Sequence, residues 1–277
     1  MEVTIWGARG TFPSPRKDTV RYGGHTCCLS LRTAAGEYIV VDSGTGIRDL
    51  GERIMADGRA AGNGPVRIHL LLTHFHLDHV IGFPFFRPLY SPQATLLIHA
   101  PAAPEETRKH LAGLMAGRYF PLGLDETPST KVFLEFEPGL VIDGVGVSSC
   151  PLVHPQGSVA YRFERGGTSL VSATDTEHPD KGIDGRLAAF AAGATRLVYD
   201  AMFTPEEYAA GKKGWGHSTW LAGTELAAEA CVGSLVLSHH SPDHTDETVD
   251  RLLAAARQKF TRTDAARQGW TWDLSKG

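Results

Sequence analysis

Cysteine is scarce. Cys27, Cys28, Cys150 and Cys231 are the four in 277 residues, and no two are spaced as Cys-x-x-Cys. That excludes a disulfide framework and fits a reducing compartment, so the expected location is the cytoplasm. Long apolar runs are also missing. The stretch from Ile68 to Leu72 is broken by His69, and no basic stretch followed by an apolar core opens the chain. Neither a membrane span nor an export signal is expected. Basic runs stop at Arg16-Lys17 and Lys212-Lys213, and 27 Lys+Arg against 31 Asp+Glu leave a net charge of −4. This disfavours a protein that grips nucleic acid by neutralising many phosphates. No low-complexity tract, linker or solenoid repeat interrupts the pattern, and one domain over residues 1–277 is the simplest organisation.

What the chain does have is short apolar runs punctuated by Gly and Pro. Strands are predicted at Glu2 to Trp6, Cys28 to Arg32, Tyr38 to Val41 and Val66 to Leu72. Further strands are predicted at 95–99, 131–136, 145–150, 159–164, 169–173, 197–199 and 234–237. Ile47, Leu50 and Ile54 share one helix face, ahead of a Gly-rich loop from Gly58 to Pro65. Four more helices fit Pro104 to Ala116, Gly185 to Ala192, Thr219 to Ala230 and Asp246 to Phe260. Consecutive strands followed by alternation with helices point to stacked sheets covered by helices.

Histidine is abundant, at 13. Thr73-His74-Phe75-His76-Leu77-Asp78-His79 follows a strand directly and packs four ligand-type side chains into six residues. In extended chain His74 and His76 point the same way and can share one ion, while Asp78 and His79, at the turn, face a second. Further ligand types stand where later strands should end: His154, Asp175 and His239.

Through Asp42-Ser43-Gly44-Thr45-Gly46, the His74 to His79 block, His154-Pro155, Asp175-Thr176, Gly216-His217-Ser218-Thr219 and Leu237-Ser238-His239, the sequence resembles a metallo-β-lactamase-fold hydrolase. The nearest branch is the phosphodiesterases that include the tRNA 3′-processing endonuclease ribonuclease Z. The likeness runs over nearly the whole chain. It implies an α/β fold, the four-layer αββα sandwich of two mixed sheets flanked by helices. It also implies two divalent metal ions, one on His74, His76 and His154, the other on Asp78, His79 and His239, with Asp175 bridging. Zinc suits such ligands best, with manganese or iron as alternatives. Two ions roughly 3.5–4 Å apart can deprotonate a shared water and stabilise both oxygens of a displacement at phosphorus. Asp42 then orients the ligands from beneath; a turn-forming Asp before Gly44 is the alternative. The resemblance makes His217 the acid that protonates the leaving oxygen, oriented by Asp200, and Asp78 joins these two as catalytic. A plain loop histidine ahead of a helix cap is the other reading of His217.

The substrate expected from this reading is a small anionic phosphodiester, a cyclic nucleotide first. Ribonuclease Z relatives carry a glycine-rich basic arm that nothing between His79 and His154 matches. Maturation of tRNA 3′ ends, hydrolysis of lactones or thioesters on the same fold, and a non-catalytic metal-binding regulator stand as alternatives. A homodimer accords with the branch. Arg9 and Arg21 are candidate phosphate clamps, with a structural salt bridge as the plainer reading. His25, His178, His240 and His244 are better read as solvated or hydrogen-bonded than as pocket residues, and the segment from Met115 to Thr130 as a lid or dimer contact. Cys27, Cys28 and Cys150 read as small core residues. Two divalent ions held by Asp78 and Asp175 with one hydroxide carry a local charge of roughly +1, so an acidic protein still offers an anion a positive centre.

Overall fold

The computed structural model describes residues 1–60, 62 and 64–276. The first sheet is laid down by β1 (Glu2–Gly7), β2 (Cys28–Arg32), β3 (Tyr38–Val41), β4 (Val66–Leu71), β5 (Ala94–Ala100) and β6 (Thr130–Glu135). The second takes β7 (Leu140–Ile142), β8 (Val145–Leu152), β9 (Ser158–Arg165), β10 (Thr168–Ala173), β11 (Arg196–Asp200), β12 (Leu235–Ser238) and β13 (Thr263–Ala265). The chain then returns to the first sheet as β14 (Thr271–Asp273), paired with β1. The two seven-stranded orders are β14-β1-β2-β3-β4-β5-β6 and β13-β12-β11-β10-β9-β8-β7. Each is mixed, with antiparallel neighbours on one side and parallel ones, β3 to β6 and β10 to β13, on the other.

Seven α-helices are described: α1 (Ile47–Ala60), α2 (Leu77–Val80), α3 (Pro104–Leu114), α4 (Gly185–Ala191), α5 (Pro205–Ala209), α6 (Trp220–Glu229) and α7 (Asp246–Lys259). Ile47, Leu50 and Ile54 of α1 pack with Leu111 of α3 on Val40, Leu70 and Ile98 of the first sheet. Between the sheets, Leu31, Ile39 and Leu71 meet Val147, Phe163 and Val198. Outside the second sheet, Leu187 of α4, Leu226 of α6 and Ala256 of α7 cover Val171, Leu197 and Leu235. These are the four layers expected. Burial of β3 at all four positions follows from cover on both faces. Thr219 and Thr245 cap α6 and α7 by accepting from Ala222 N and Thr248 N.

Departures from the predicted elements are local. Helix α1 runs through Gly58 to Ala60, so the Gly58 to Pro65 loop is shorter than predicted; residues 61 and 63 lie outside the described residues. Helix α3 ends at Leu114, because Met115 turns out of helical geometry and buries itself in the core. Strands β7, β13 and β14 have three residues each, too few to show a period. No described helix is long and apolar enough to cross a membrane.

Parallel strands aim their C-terminal ends the same way, and the candidate ligands collect there. Asp42 follows β3, the His74 block follows β4, Asp175 follows β10, Asp200 closes β11 and His239 follows β12. Asp42, Asp175 and His239 take the left-handed backbone, with φ of 61°, 61° and 56°. That conformation costs a non-glycine residue energy and is concentrated at sites that need a sharp re-aiming of the chain.

Candidate metal centre

Three imidazoles meet on one side. His74, His76 and His154 present ring nitrogens within 4.8 Å of one another. His76 Nε2 lies 3.2 Å from Gln156 Oε1 and can only donate to it, which leaves Nδ1 bare. His154 Nδ1 likewise donates to the Gly216 carbonyl at 2.8 Å, leaving Nε2 bare. The two bare nitrogens face each other at 3.0 Å. Lone pairs at that distance repel unless a cation lies between them, so the donor set fits a metal ion. Gly216 has φ +79°, and a Cβ there would stand 2.3 Å from His154 Nδ1.

Asp78, His79, Asp175 and His239 form the second group, all buried and also within 4.8 Å. His79 Nε2 is 3.3 Å from Asp78 Oδ2 and 3.2 Å from Asp175 Oδ2; His239 Nε2 is 3.3 Å from Asp78 Oδ2 and 3.2 Å from Asp175 Oδ1. Asp175 also lies 4.0 Å from His74 and 3.9 Å from His154, which places it between the groups. His74 Nε2, His79 Nε2, His239 Nε2 and Asp175 Oδ2 are buried without a hydrogen-bond partner. Four orphaned atoms converging on one spot are costly unless something binds them.

Asp42 sits beneath both groups. Its Oδ2 accepts from His79 Nδ1 at 2.8 Å, its Oδ1 accepts from Thr73 N at 2.8 Å, and Thr73 Oγ1 donates to it while accepting from His74 Nδ1 at 3.0 Å. One carboxylate thereby turns the Nε2 atoms of His74 and His79 toward the site. Charge follows the geometry. Burial alone would raise Asp78 and Asp175, but His79 and His239 outweigh it and hold both carboxyls well below the usual range. Burial opposes charge on His79 and His239, yet the carboxylates around them, Asp175 foremost, raise both. Burial, with the charge on His79, pushes His74 down to about 2.

His217 lies beside the second group. Its Nδ1 donates to Asp200 Oδ2 at 2.9 Å, and its ring stacks on His239 with centroids 4.9 Å apart. Asp200 is fully buried and fixed by three backbone donors, Asp175 N at 2.9 Å and Met202 N and Ser218 N at 3.1 Å. Thr219 caps α6 two residues after His217, in keeping with the helix cap that the alternative reading placed there.

All the residues singled out as ligands, with His217 and Asp200, are thus brought together. Other expectations fare differently. Arg9 is no phosphate clamp: its buried guanidinium donates to the carbonyls of Gly23, Ser241 and His244. Arg21 is spent on Asp250, with Nη2 to Oδ2 at 2.6 Å. His25, His178 and His240 bond Thr45, Ser218 and Ala266 O, and His244 bonds Glu207 through Nε2 while its buried Nδ1 has no partner. In the Met115 to Thr130 segment, Met115 and Leu124 are core, while Phe120 meets Phe85 edge-on at 5.6 Å. Cys27 is less bland than predicted, its sulfur within 4.8 Å of His79 and His239 nitrogens. Gln156 and Glu177 were missed. Both act through distant backbone or ring atoms, and no spacing in the sequence signals that.

The model of the β-lactamase superfamily domain matches residues 37–240, which hold every residue of both groups. The chain belongs to the β-lactamase superfamily. Within that superfamily it is related to proteins named ribonuclease Z. One from Mycobacterium sp. (strain KMS) is 31% identical over 265 residues, covering 87% of this chain and 85% of the relative. Another, from Bradyrhizobium sp. (strain ORS 278), is 29% identical over 293 residues, covering 85% and 90%. Among solved structures, the metallo-β-lactamase fold protein YhfI from Bacillus subtilis superposes with a TM-score of 0.72 at 20% identity, covering 98% and 99% of the two chains. The short form of human tRNase Z gives 0.67 at 17%, covering 99% of each. These superpositions establish the metallo-β-lactamase fold; the family match, the relatives named ribonuclease Z and the His/Asp cluster make the chain a metal-dependent hydrolase of that superfamily.

Proposed function

We propose that the chain is a dinuclear-metal phosphodiesterase with His217 as its general acid. The observation that carries this is a buried imidazole stacked 4.9 Å from His239 yet committed through Nδ1 to Asp200. It stands next to the ligand cluster with its other nitrogen free for proton transfer. Zinc is the ion proposed, on His74, His76 and His154 and on Asp78, His79 and His239, with Asp175 shared. Two such ions supply an activated water and charge stabilisation for the phosphoryl oxygens. The chain's own part is proton placement. Asp200 holds the His217 ring so that Nε2 delivers a proton to the departing oxygen. An alkoxide leaves poorly unless protonated, and such an acid contributes ~100- to 10,000-fold. Lactone, thioester and β-lactam hydrolysis needs it less.

For the substrate, the relatives named ribonuclease Z support an RNA phosphodiester such as a tRNA 3′ end. A small phosphodiester, such as a cyclic nucleotide, is favoured by two observations. Net charge is −4, and Arg9 and Arg21 are engaged within the protein instead of standing free for phosphates. One activity panel, with and without chelator, separates the two: precursor tRNA, 3′,5′- and 2′,3′-cyclic nucleotides, and bis(p-nitrophenyl) phosphate. Chelator-sensitive cleavage of any of them supports the phosphodiesterase reading. Turnover of thioesters or lactones with none of these diesters cleaved overturns it.

A further inference from the structure

Beyond His217 the aromatic series continues outward. Phe203 lies 6.1 Å from the His217 ring, Trp215 lies 6.5 Å from Phe203, and Lys212 Nζ stands 3.8 Å from the Trp215 ring centroid. Trp215 is 55% exposed, a large apolar ring held in the open beside the acid. Its backbone is pinned rather than loose. The Glu177 carboxylate accepts from Gly214 N at 2.7 Å and from Gly216 N at 2.9 Å, straddling residue 215, and takes the Tyr208 hydroxyl at 2.6 Å. Trp215 N adds a bond to Lys212 O at 3.2 Å. Phe203 and the Lys212 ammonium cover only part of the indole, and more than half of the residue stays open to solvent. A fixed, open indole with an ammonium over it is the pairing that holds a nucleobase and an anionic group.

We propose that Trp215 and Lys212 form the subsite for the leaving group, and that this group is a nucleoside or similar aromatic alcohol bearing a phosphate. The inference rests on the phosphodiesterase reading, because His217 marks the side from which the alcohol departs. Water oxygen bonds to phosphorus, the bond from phosphorus to the leaving oxygen breaks, and the His217 proton goes to that oxygen. Base stacking then contributes roughly tenfold to hundredfold.

The test uses the zinc-loaded full chain and two substrates that differ only in the leaving alcohol, a 5′-phosphorylated 3′,5′-dinucleotide and the methyl ester of its 3′-terminal nucleoside's 5′-phosphate. Trp215→Ala is expected to lower kcat/KM for the dinucleotide roughly tenfold to hundredfold more than for the methyl ester, with Trp215→Phe restoring most of the difference. Equal losses on both overturn the subsite. Calorimetric binding of AMP and of ribose 5-phosphate gives an arm that needs no turnover: Trp215→Ala should weaken AMP alone, and Lys212→Ala both. If AMP binding depends on Trp215 while neither diester is cleaved, the phosphodiesterase reading fails, the leaving-group role falls with it, and only a nucleotide-binding site remains. If both diesters are cleaved and AMP binding ignores Trp215, the subsite fails and the function stands.

Discussion

His69 and His99 are a buried pair in the layer between the sheets, outside the ligand cluster, and they make stability depend on pH in a calculable way. His69 shares the inward face of β4 with Leu71, its Nδ1 is 3.2 Å from His99 Nε2, and the rings stack at 5.4 Å. Two neutral rings share one proton across that contact; a second proton sets two N–H groups against each other. Burial pushes both down to about 4 from an ordinary 6.5. Both folded-state values therefore lie below the unfolded ones. Between them the unfolded chain binds more protons, so the pair's stability is fully present above 6.5, is lost as pH falls, and stops changing below about 4. From pH 7 to pH 5 the loss is about 2 kcal/mol for each ring, or about 4 kcal/mol for both. This figure is a ceiling, because Glu37 Oε2 lies 3.5 Å from His69 Nε2 and partly compensates a charge there. Acid also strips metal from the ligand histidines, which destabilises any form of the protein that binds it. The comparison that isolates the pair is urea unfolding of wild type against His69→Leu/His99→Leu at pH 7 and pH 5. The variant should lose several kcal/mol less over that interval, and single His99→Leu should recover about half of the difference. Parallel pH dependences would show that the pair titrates normally and that its burial has no such cost.

Replacing His217 by Ala should lower turnover of an alkyl-ester diester ~100- to 10,000-fold while metal analysis finds the same content, with a much smaller loss when p-nitrophenolate leaves; equal losses on the two esters would remove the acid role. Asp42→Ala frees the rings of His79 and His74, so zinc affinity should fall ~10- to 100-fold in a chelator competition, and an unchanged affinity would leave Asp42 as a turn residue only. Ions compete with the protons that the carboxylates draw onto His79 and His239, so zinc binding should release protons and tighten as pH rises. Calorimetry in buffers of different ionisation enthalpy checks this, and a buffer-independent heat would refute it. Glu177→Gln places an amide NH2 against one of the Gly214 and Gly216 N–H groups, so kcat should drop and its acid limb shift while thermal stability changes by only about 1–2 kcal/mol.

Legibility of the site followed sequence distance. His74, His76, Asp78 and His79 were plain because four ligands fall within one turn after a strand, and the topology supplies the rest by ending β10 and β12 in the same direction. Gln156 and Glu177 were opaque, since each works by hydrogen-bonding an atom 80 or about 40 residues away. Arg9 shows the converse. Between two glycines it has the look of an anion clamp, and only the convergence of residues 23, 241 and 244 on its guanidinium reveals a buried tie. The four layers were readable from strand and helix order. The three-residue strands β7, β13 and β14 were not, because they owe their existence to neighbours rather than to their own side chains.

Among the described residues, seven non-glycine positions have positive φ, and Thr11, Asp42, Gln156, Asp175 and His239 all border the site, Thr11 through its N–H to Asp78. Each such turn is disfavoured by roughly 1–2 kcal/mol relative to glycine. Selection for heat resistance alone would therefore draw these positions toward glycine, with Gln156 the easiest to lose because it would not itself hold a metal. The result would be a sturdier fold with a slack His76 ring. In this protein durability and competence are traded against each other at the same few backbone angles.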